Sequence, residues 1–250
     1  MSKDSVKTLI PFPLLRATTL LFFSLAALAL LLAAFDARQI LGLNRWAKPG
    51  KFALSTGIYC LTIGWMLSVV PGSRRMPIRL SRIIALVMIV EIFAIFLQAA
   101  RGVTSHFNTA TLFDGAVFTL MGLLILVNTV CMVVTVSLFF VRPVELSPAL
   151  LWGVRLGLIL STLGSLQGLL MVGRLGHTVG APDGGPGLPI LSWSTRHGDL
   201  RIAHGLGLHA LQAVPFVGFL ASRAYPWLGG GHAVCRYLSG NRGGVTLARA

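Results

Sequence analysis

Histidines and the acidic residues near them are the side chains of this chain best suited to chemistry. His204 and His209 lie five residues apart in one apolar segment, and His106 follows Ser105 in a polar stretch. Neutral imidazole nitrogens bind divalent metals and the iron of a b-type haem, and carboxylates complete such ligand sets or orient an imidazole. The candidate metal or ligand residues are therefore His106, His204, His209, Asp114 and Asp199.

Other polar residues beside these candidates have both a functional and a structural interpretation. As functional residues, they would line a pocket and contact a bound ligand. As structural residues, Thr111 or Asp114 would cap the fourth helix, and Asp199 would cap the sixth. Lys48 would in that case extend toward the membrane surface. The pocket candidates are Asn44, Trp46, Lys48, Arg101, Ser105, Asn108, His177, Asp183 and Gln212.

Glu91 and Arg155 are charged residues inside apolar segments. With 1.5 Å of rise per residue, they lie about 12 Å and about 9 Å from the same membrane side. A charge inside a bilayer is costly unless it is paired. The matching depths therefore predict an ion pair between the two side chains, with a proton relay as the alternative.

Cysteine and glycine patterns argue against several cofactors. Cys60, Cys131 and Cys235 form no Cys-x-x-Cys or Cys-x-x-Cys-His sequence, so neither covalent haem nor an iron–sulfur cluster is expected. The glycines in 180–187 are not followed by Gly-Lys-Ser/Thr, so no nucleotide site is expected. A divalent metal or b-type haem remains open as a cofactor. No residue is clearly placed as a general base, so the sequence assigns no enzyme activity.

Six long apolar runs must position these residues. The chain of 250 residues is 55% hydrophobic and 11% charged, with a mean hydropathy of +0.81. A soluble domain would be about 25% charged. Because lipid offers the backbone no hydrogen-bond partner, each run of about 20 residues must cross as a helix. The sequence predicts an all-α, polytopic transmembrane helix bundle with about six spans, at residues 17–35, 52–70, 83–100, 115–141, 149–172 and 202–221.

The connections between these runs differ in composition. The second and fourth are short and contain prolines, whereas the first, third and fifth carry most of the candidate residues. Odd-numbered connections of a six-span chain share one membrane face, so we expect one polar pocket there. The fifth, at residues 173–200, is a long Gly/Pro-rich outer loop that could dock a protein partner. Residues 1–222 then form the bundle, and 223–250 form a basic, glycine-rich tail expected to be disordered.

Basic residues predict the orientation. With the N-terminus in the cytoplasm, twelve Lys and Arg residues fall inside and eight outside, which favours this topology. The strongest inner cluster, Arg74 to Arg82, would meet anionic lipid headgroups. The net charge of +14 is thus attributed to topology and not to nucleic-acid binding. The first apolar run also resembles a signal peptide, but its length favours a retained anchor.

Small residues predict one close contact between helices. Gly153-x-x-x-Gly157 and Gly164-x-x-x-Gly168 both fall in the fifth span. Glycines four residues apart lie on one side of a helix and allow a neighbouring backbone to approach. The fifth span is therefore expected to contact another helix along these glycines.

Four stretches of sequence carry a resemblance to a known family. They are Asn44-x-Trp-x-Lys-Pro-x-Lys-Phe, Arg101-Gly-x-x-Ser-His-Phe-Asn, Gly180-Ala-Pro-Asp-Gly-Gly-Pro-Gly-Leu-Pro and His204-x-x-x-x-His-Ala-Leu-Gln. Together they resemble a family of bacterial multi-pass inner-membrane proteins, over most of the chain to about residue 220. The resemblance implies a class and a location in the bacterial inner membrane, but no reaction. The chain is also similar, in residue types but not in spacing, to seven-helix zinc-dependent membrane hydrolases, so no catalytic role is transferred.

The leading functional hypothesis is an outward-facing, His-containing polar pocket that binds a metal, haem or a small polar ligand. One alternative is a small-solute or proton-coupled transporter or channel, whose polar path would include Glu91, Asn128, His209 and Gln212. Another is a non-catalytic subunit of a membrane complex, with the fifth connection docking a partner.

Overall fold

Six long helices contain most of the described chain. The structure is a computed structural model that describes residues 10–188 and 191–225. The helices are α1 (Pro13–Phe35), α2 (Ala47–Ser68), α3 (Arg75–Arg101), α4 (Leu112–Val141), α5 (Pro148–Arg174) and α6 (Leu200–Ala224). The predicted all-α helical bundle is confirmed. Most of the predicted tail at 223–250 lies outside the described residues.

Five of these helices are long and apolar enough to cross a membrane. They are α1, α3, α4, α5 and α6. The 22-residue α2, which begins with Lys48 and Lys51 in its first turns, is not among them. Large apolar side chains cover the bundle surface, and Leu112 is 93% exposed and Leu30 is 74% exposed. Apolar helices with apolar outer surfaces are the architecture of an integral membrane protein.

Local sequence explains where the helices begin and end. Prolines occupy the first turns of α1 and α5, where a missing N–H leaves no helical bond broken. The side chains of Thr111 and Asp199 cap α4 and α6, as predicted. α3 ends at Gly102, which adopts a left-handed conformation with a φ of 79°.

α5 and α6 form the closest helix pair of the bundle. A methyl group added at Gly157 would lie 2.9 Å from the carbonyl oxygen of Ala210. One added at Gly164 would lie 2.8 Å from the Cα of Gly207. These distances leave no room for a side chain, so the predicted close contact of the fifth span is confirmed, with α6 as its partner.

The other helices pack in chain order. α1 packs on α2, α2 on α3, α3 on α4, and α4 on α5, while α1 also reaches α3. Buried side chains such as Phe22, Ile92 and Phe139 fill the space between them. α4 therefore lies between α3 and α5, and α6 touches α2 only slightly.

Two short antiparallel strand pairs shape the connections at one end of the bundle. β1 (Gln39–Ile40) and β2 (Leu43–Asn44) form a hairpin through Leu41 and Gly42, both of which have positive φ. Such a turn matches the twist of paired strands. β3 (Thr178–Val179) pairs with β4 (Gly198–Asp199), which joins the two ends of the fifth connection.

Candidate functional site

Side chains from the first, third and fifth connections meet at this end of the bundle. Lys48 Nζ, at the start of α2, lies 3.3 Å from His106 Nδ1. Ser105 Oγ lies 3.0 Å from the same nitrogen. The ring of Phe107 lies 5.8 Å from the ring of His177. We call these five residues the Lys48–His106 cluster.

The hydrogen bonds define the state of His106. An ammonium group has no acceptor, so Lys48 must donate to Nδ1, which therefore carries a lone pair. The ring proton of the neutral imidazole then lies on Nε2. Burial lowers the pKa of His106 well below its usual range, and the nearby charge of Lys48 lowers it further. His106 is therefore neutral at pH 7 and keeps one N–H donor at Nε2.

Aromatic rings surround His106. The ring centroids of Phe52, Phe107 and Phe118 lie 5.8, 6.2 and 6.5 Å from that of the imidazole. The ammonium group of Lys48 lies 5.5 Å from the centroid of Phe52, within range of a cation–π interaction. Phe107 has a φ of 56°, an uncommon conformation that costs on the order of 1 kcal/mol for a residue with a side chain. Its contacts with Phe118 and His177 offset this strain.

Positive charge is concentrated around the cluster. Arg201 at the start of α6 is close enough to repel Lys48, Lys51 and His177 electrostatically. Within residues 10–188 and 191–225, no carboxylate lies within ion-pair distance of Lys48. Glu91 is the carboxylate that attracts Lys48 through space. The cluster thus combines a lysine, a neutral imidazole and a surplus of positive charge.

His177 is held by the acidic residue of its own loop. Its Nδ1 lies 2.7 Å from Asp183 Oδ1, and Asp183 also accepts from the backbone N–H of Thr178 at 2.8 Å. Burial lowers the pKa of His177 and the charge of Arg201 lowers it further, while the carboxylate of Asp183 opposes both. Asp183 therefore orders the fifth connection and orients the imidazole.

A second group of polar residues forms what we call the Asp36 clasp. Asp36 accepts hydrogen bonds from Arg38 Nε at 2.8 Å and from Trp46 Nε1 at 2.9 Å, and Arg45 Nε lies 2.6 Å from it. Hydrogen bonding from Arg38 lowers the pKa of Asp36. Asn44 Nδ2 donates to the carbonyl oxygen of Asp36 at 2.6 Å. Asn44 and Trp46 therefore fold the first connection just before Lys48.

Asp114 has a similar structural environment, which we call the Asp114 clasp. It accepts from Gln98 Nε2 at 2.9 Å and from Thr111 Oγ1 at 2.7 Å, and Arg101 bonds to both Asp114 and Gln98. These bonds join the end of α3 to the start of α4. Asn108 is used locally, since it accepts from the backbone N–H of Ala110 at 3.1 Å.

Asp199 is the centre of a third group, the Asp199 clasp. Its carboxylate accepts from the backbone N–H groups of Ser194 at 2.7 Å and Arg201 at 2.9 Å, and it also pairs with the Arg201 guanidinium. Although burial alone would raise the pKa of Asp199, the hydrogen bonds from Arg201 and Ser194 lower it to about 2. The oxygens of Asp114 and Asp199 are thus occupied by protein donors.

The proposed metal ligands do not form one ligand group among the described residues, although His204 is close enough to act electrostatically on His106. His204 Nδ1 lies 2.7 Å from the carbonyl oxygen of Gly164 on α5, so this nitrogen is a donor within the helix pair. His209 is exposed on α6. In the part of the chain that the structure describes, no three His, Cys, Asp or Glu side chains are grouped to hold a metal ion.

The predicted ion pair between Glu91 and Arg155 is not present among the described residues. Arg155 Nε donates to the carbonyl oxygen of Phe139 at 2.9 Å, and its guanidinium packs on Phe140 and Trp152. Glu91 is buried in α3, and its Oε2 has no hydrogen-bond partner among the described residues. The two residues have similar depths, but α4 lies between their helices.

The polar residues of the alternative transport path bond to α2. Tyr59 donates to Asn128 Oδ1 at 2.7 Å, and Gln212 Nε2 lies 3.4 Å from Thr62 Oγ1. These bonds connect α2 to α4 and to α6. They do not bring Asn128 and Gln212 into contact with each other.

Several residues of this end were missed as candidates from the sequence. Asp36 is the acidic residue of the first connection, and Arg38 and Arg45 follow it in the same connection. An acidic residue close in sequence to arginines is typical of a local ion pair. Arg201 was counted only among the eight basic residues predicted to lie outside and was not named as a site candidate. The rings of Phe52 and Phe118 have no sequence signal, because any membrane helix carries phenylalanine.

Comparisons with known proteins return no match. No family model, no curated protein and no solved structure is similar to the chain. The resemblance to bacterial multi-pass inner-membrane proteins stays a prediction, and the function must be inferred from the geometry of the cluster.

Proposed function

We propose that this integral membrane protein binds a small anion at the Lys48–His106 cluster, on the outer face of the bacterial inner membrane. The observation that carries the proposal is the environment of Lys48. This lysine is half-buried, bonds to a neutral imidazole, and has no carboxylate at ion-pair distance among the described residues. A buried charge is stabilised when an opposite charge reaches it, so a ligand anion is the missing partner.

The clasps support the same conclusion. Asp36, Asp114, Asp183 and Asp199 are all engaged by arginine, histidine or backbone donors. None of them is available to neutralise Lys48. The positive charge that remains at this end is therefore concentrated at the cluster and favours a negatively charged ligand.

The donors suit a carboxylate or a phosphate. Lys48 Nζ offers charged N–H groups and His106 offers a neutral N–H at Nε2. Charge-assisted hydrogen bonds of this kind are about twice as strong as neutral ones. We propose no reaction at the site.

A group of exposed arginines supports an orientation for the protein. Arg74, Arg75, Arg79 and Arg82 are exposed at the opposite end of the bundle, and the described residues form no ion pair with them. We propose that they lie at the cytoplasmic surface, with the N-terminus inside and the chain crossing the membrane six times. The apolar outer surface of the other helices supports α2 as an inner, more polar sixth span.

A titration with anions tests the proposal. The protein purified in detergent should bind inorganic phosphate or acetate in a calorimeter. Lys48→Gln should weaken that binding at least tenfold, which corresponds to about 1.4 kcal/mol, less than one charged hydrogen bond. Arg196→Gln is the control, since it removes one exposed charge from the same end. Equal loss in both variants would mean that only general electrostatics attracts the anion.

Elemental analysis and a visible spectrum of the same preparation test the metal and haem alternatives. The carboxylate oxygens of Asp114 and Asp199 accept hydrogen bonds from protein donors, which supports a site that holds neither a metal ion nor haem. Stoichiometric zinc or a Soret band that is lost in His106→Ala would replace the anion proposal by a metal or haem site.

Proton-coupled transport is the second candidate, favoured by Glu91. This carboxyl is buried in α3 with one unpartnered oxygen, and Lys48 is the cation that attracts it. A carboxyl in that setting can take up a proton when a ligand neutralises Lys48. Uptake of labelled acetate into proteoliposomes, driven by a pH gradient, checks this; a Glu91→Gln variant that transports normally would contradict it.

A docking role for the fifth connection also stays a proposal. Leu175, Leu188 and Leu191 are exposed there, on a loop closed by β3 and β4. Gentle cross-linking from this loop in native membranes would identify a protein subunit.

A further inference from the structure

A cavity lies between helices of the bundle, away from the Lys48–His106 cluster. It has a volume of about 240 Å³ and lies between α2, α5 and α6. Trp65 of α2 and Phe216 and Phe219 of α6 form its aromatic walls, with Pro215 beside them. The cavity exists because α6 packs on α5 and barely touches α2.

One polar group in this cavity lacks a partner. Gln212 lines the cavity, and its Oε1 is buried without a hydrogen bond among the described residues. The amide nitrogen of the same side chain lies 3.4 Å from Thr62 Oγ1. The hydroxyl hydrogen of Thr62 is already donated to the carbonyl oxygen of Ile58 at 2.8 Å. Gln212 Oε1 is thus an acceptor that no neighbouring side chain satisfies.

Pro215 removes one helical hydrogen bond beside this wall. A proline has no backbone N–H, so it cannot bond to the carbonyl four residues earlier in the helix. That carbonyl belongs to Leu211, which also lines the cavity. An unsatisfied acceptor in hydrocarbon is costly, so Gln212 Oε1 favours a ligand that donates a hydrogen bond.

We propose that this cavity binds a single-ring phenol dissolved in the membrane, with its hydroxyl group donating to Gln212 Oε1. A lipid acyl chain would fill the space but would leave Gln212 Oε1 unpaired. A phenol donates one hydrogen bond and stacks against Trp65 and Phe216. An apolar cavity of about 150 Å³ already accepts benzene, so a cavity of this larger size accommodates a ring with a substituent.

The position of Trp65 allows the proposal to be tested by fluorescence. Bromine quenches tryptophan on contact, so 4-bromophenol and bromobenzene serve as matched probes with and without the donor. In the full-length protein in detergent, 4-bromophenol should quench saturably and bind about tenfold more tightly than bromobenzene, at equal concentration in the micelle. Trp65→Phe should remove the saturable component, which identifies the cavity.

Substitution of Gln212 isolates the hydrogen bond. Gln212→Leu should bind the two probes equally, whereas Gln167→Leu, which removes a buried unpartnered amide oxygen on α5, should keep the preference. Equal affinity of the two probes for the wild-type protein would overturn the proposal without any variant, and would indicate an apolar groove filled by lipid. Absence of saturable quenching would also overturn it.

The phenol site is independent of the anion site. Lys48→Gln should leave quenching by 4-bromophenol unchanged, because Lys48 does not line the cavity. The anion proposal can therefore be contradicted without affecting the phenol proposal, and the phenol proposal can be contradicted without affecting the anion proposal.

Discussion

The aspartate clasps and the Lys48–His106 cluster lie at the same end of the bundle and use similar residues, yet their bonding differs. In the clasps, every carboxylate is matched by an arginine and by further side-chain or backbone donors, as Asp199 is by Arg201 and Ser194. In the cluster, a lysine meets a neutral histidine and no carboxylate at ion-pair distance within the described residues. The clasps therefore fix the connections, and the cluster retains unmatched charge. A polar motif is a binding site only where its bonding remains incomplete.

Removal of Asp199 should have the largest effect on stability. Asp199→Ala leaves the Ser194 N–H without its acceptor and the Arg201 guanidinium without its carboxylate, although Arg201 still donates to the carbonyl oxygen of Ser192, and this should cost about 3 kcal/mol. Thermal unfolding in detergent measures this loss. Anion affinity at low temperature should be kept or raised, since the variant removes a negative charge. A stable Asp199→Ala variant that no longer binds the anion would mean that Asp199 belongs to the binding site and does not act mainly in stability.

Removal of Asn44 should have a smaller effect of the same kind. Its side chain donates to the carbonyl oxygens of Asp36 at 2.6 Å and Ala33 at 3.3 Å, which lie at the end of α1. Asn44→Ala should lower the free energy of unfolding by about 2 kcal/mol because these carbonyl groups lose their donor. Denaturation curves measured with and without phosphate check this, and the stabilisation by phosphate should be unchanged. Asn44→Asp is the control that keeps the size of the side chain.

Glu91→Gln should not destabilise the protein. Within the described residues Glu91 forms no ion pair with Arg155, so the substitution removes a buried carboxyl with an unpartnered oxygen and its through-space attraction to Lys48. We expect stability to be unchanged or higher by about 1 kcal/mol. Glu145→Gln, at an exposed position in the connection between α4 and α5, is the matched control. A large loss of folded yield with Glu91→Gln alone would mean that the carboxylate has a partner.

The smallest expected effect is the pH dependence of anion binding. The pKa of His106 is lowered by burial and by Lys48, so the free site holds a neutral imidazole. A bound anion favours the protonated ring and raises its pKa, so binding takes up a proton. Affinity for phosphate analogues of fixed charge, such as sulfate, should rise about threefold from about pH 7.5 to about pH 5.5. His106→Gln should abolish this slope; a slope that persists would assign it to His177.

Stability without a ligand should change in the opposite direction. A histidine whose folded pKa is depressed is protonated first in the unfolded chain. Stability is therefore complete above the ordinary pKa of about 6.5 and is lost as the pH falls below it. Anion affinity and stability therefore change in opposite directions with pH when His106 is responsible. Asp199 has a pKa of about 2, so the stability it contributes is lost only under more acidic conditions.

The sequence predicts the helices and the helix contacts well, because both depend on local patterns. Apolar runs of about 20 residues define the segments. The glycines of α5, from Gly153 to Gly168, give the spacing of the contact with α6, and Thr111 and Asp199 are recognisable caps. Each of these signals needs only neighbouring residues.

The bonding within the site could not be predicted in the same way. Glu91 and Arg155 have similar depths, but depth does not specify which helix lies between them. Asp114 and Asp199 have the right chemistry for metal binding, yet their oxygens are already occupied by donors that fold around them. The left-handed conformation of Phe107 depends on rings from other segments.

The close contact of α5 and α6 has a consequence for biosynthesis. α6 is the least apolar of the five candidate spans and contains His204, Gln212 and Pro215. The carbonyl oxygen of Gly164 on α5 gives His204 a partner that lipid cannot offer. We therefore expect the insertion machinery to release the two helices as one hairpin, with α5 held at its lateral exit until α6 has been synthesised.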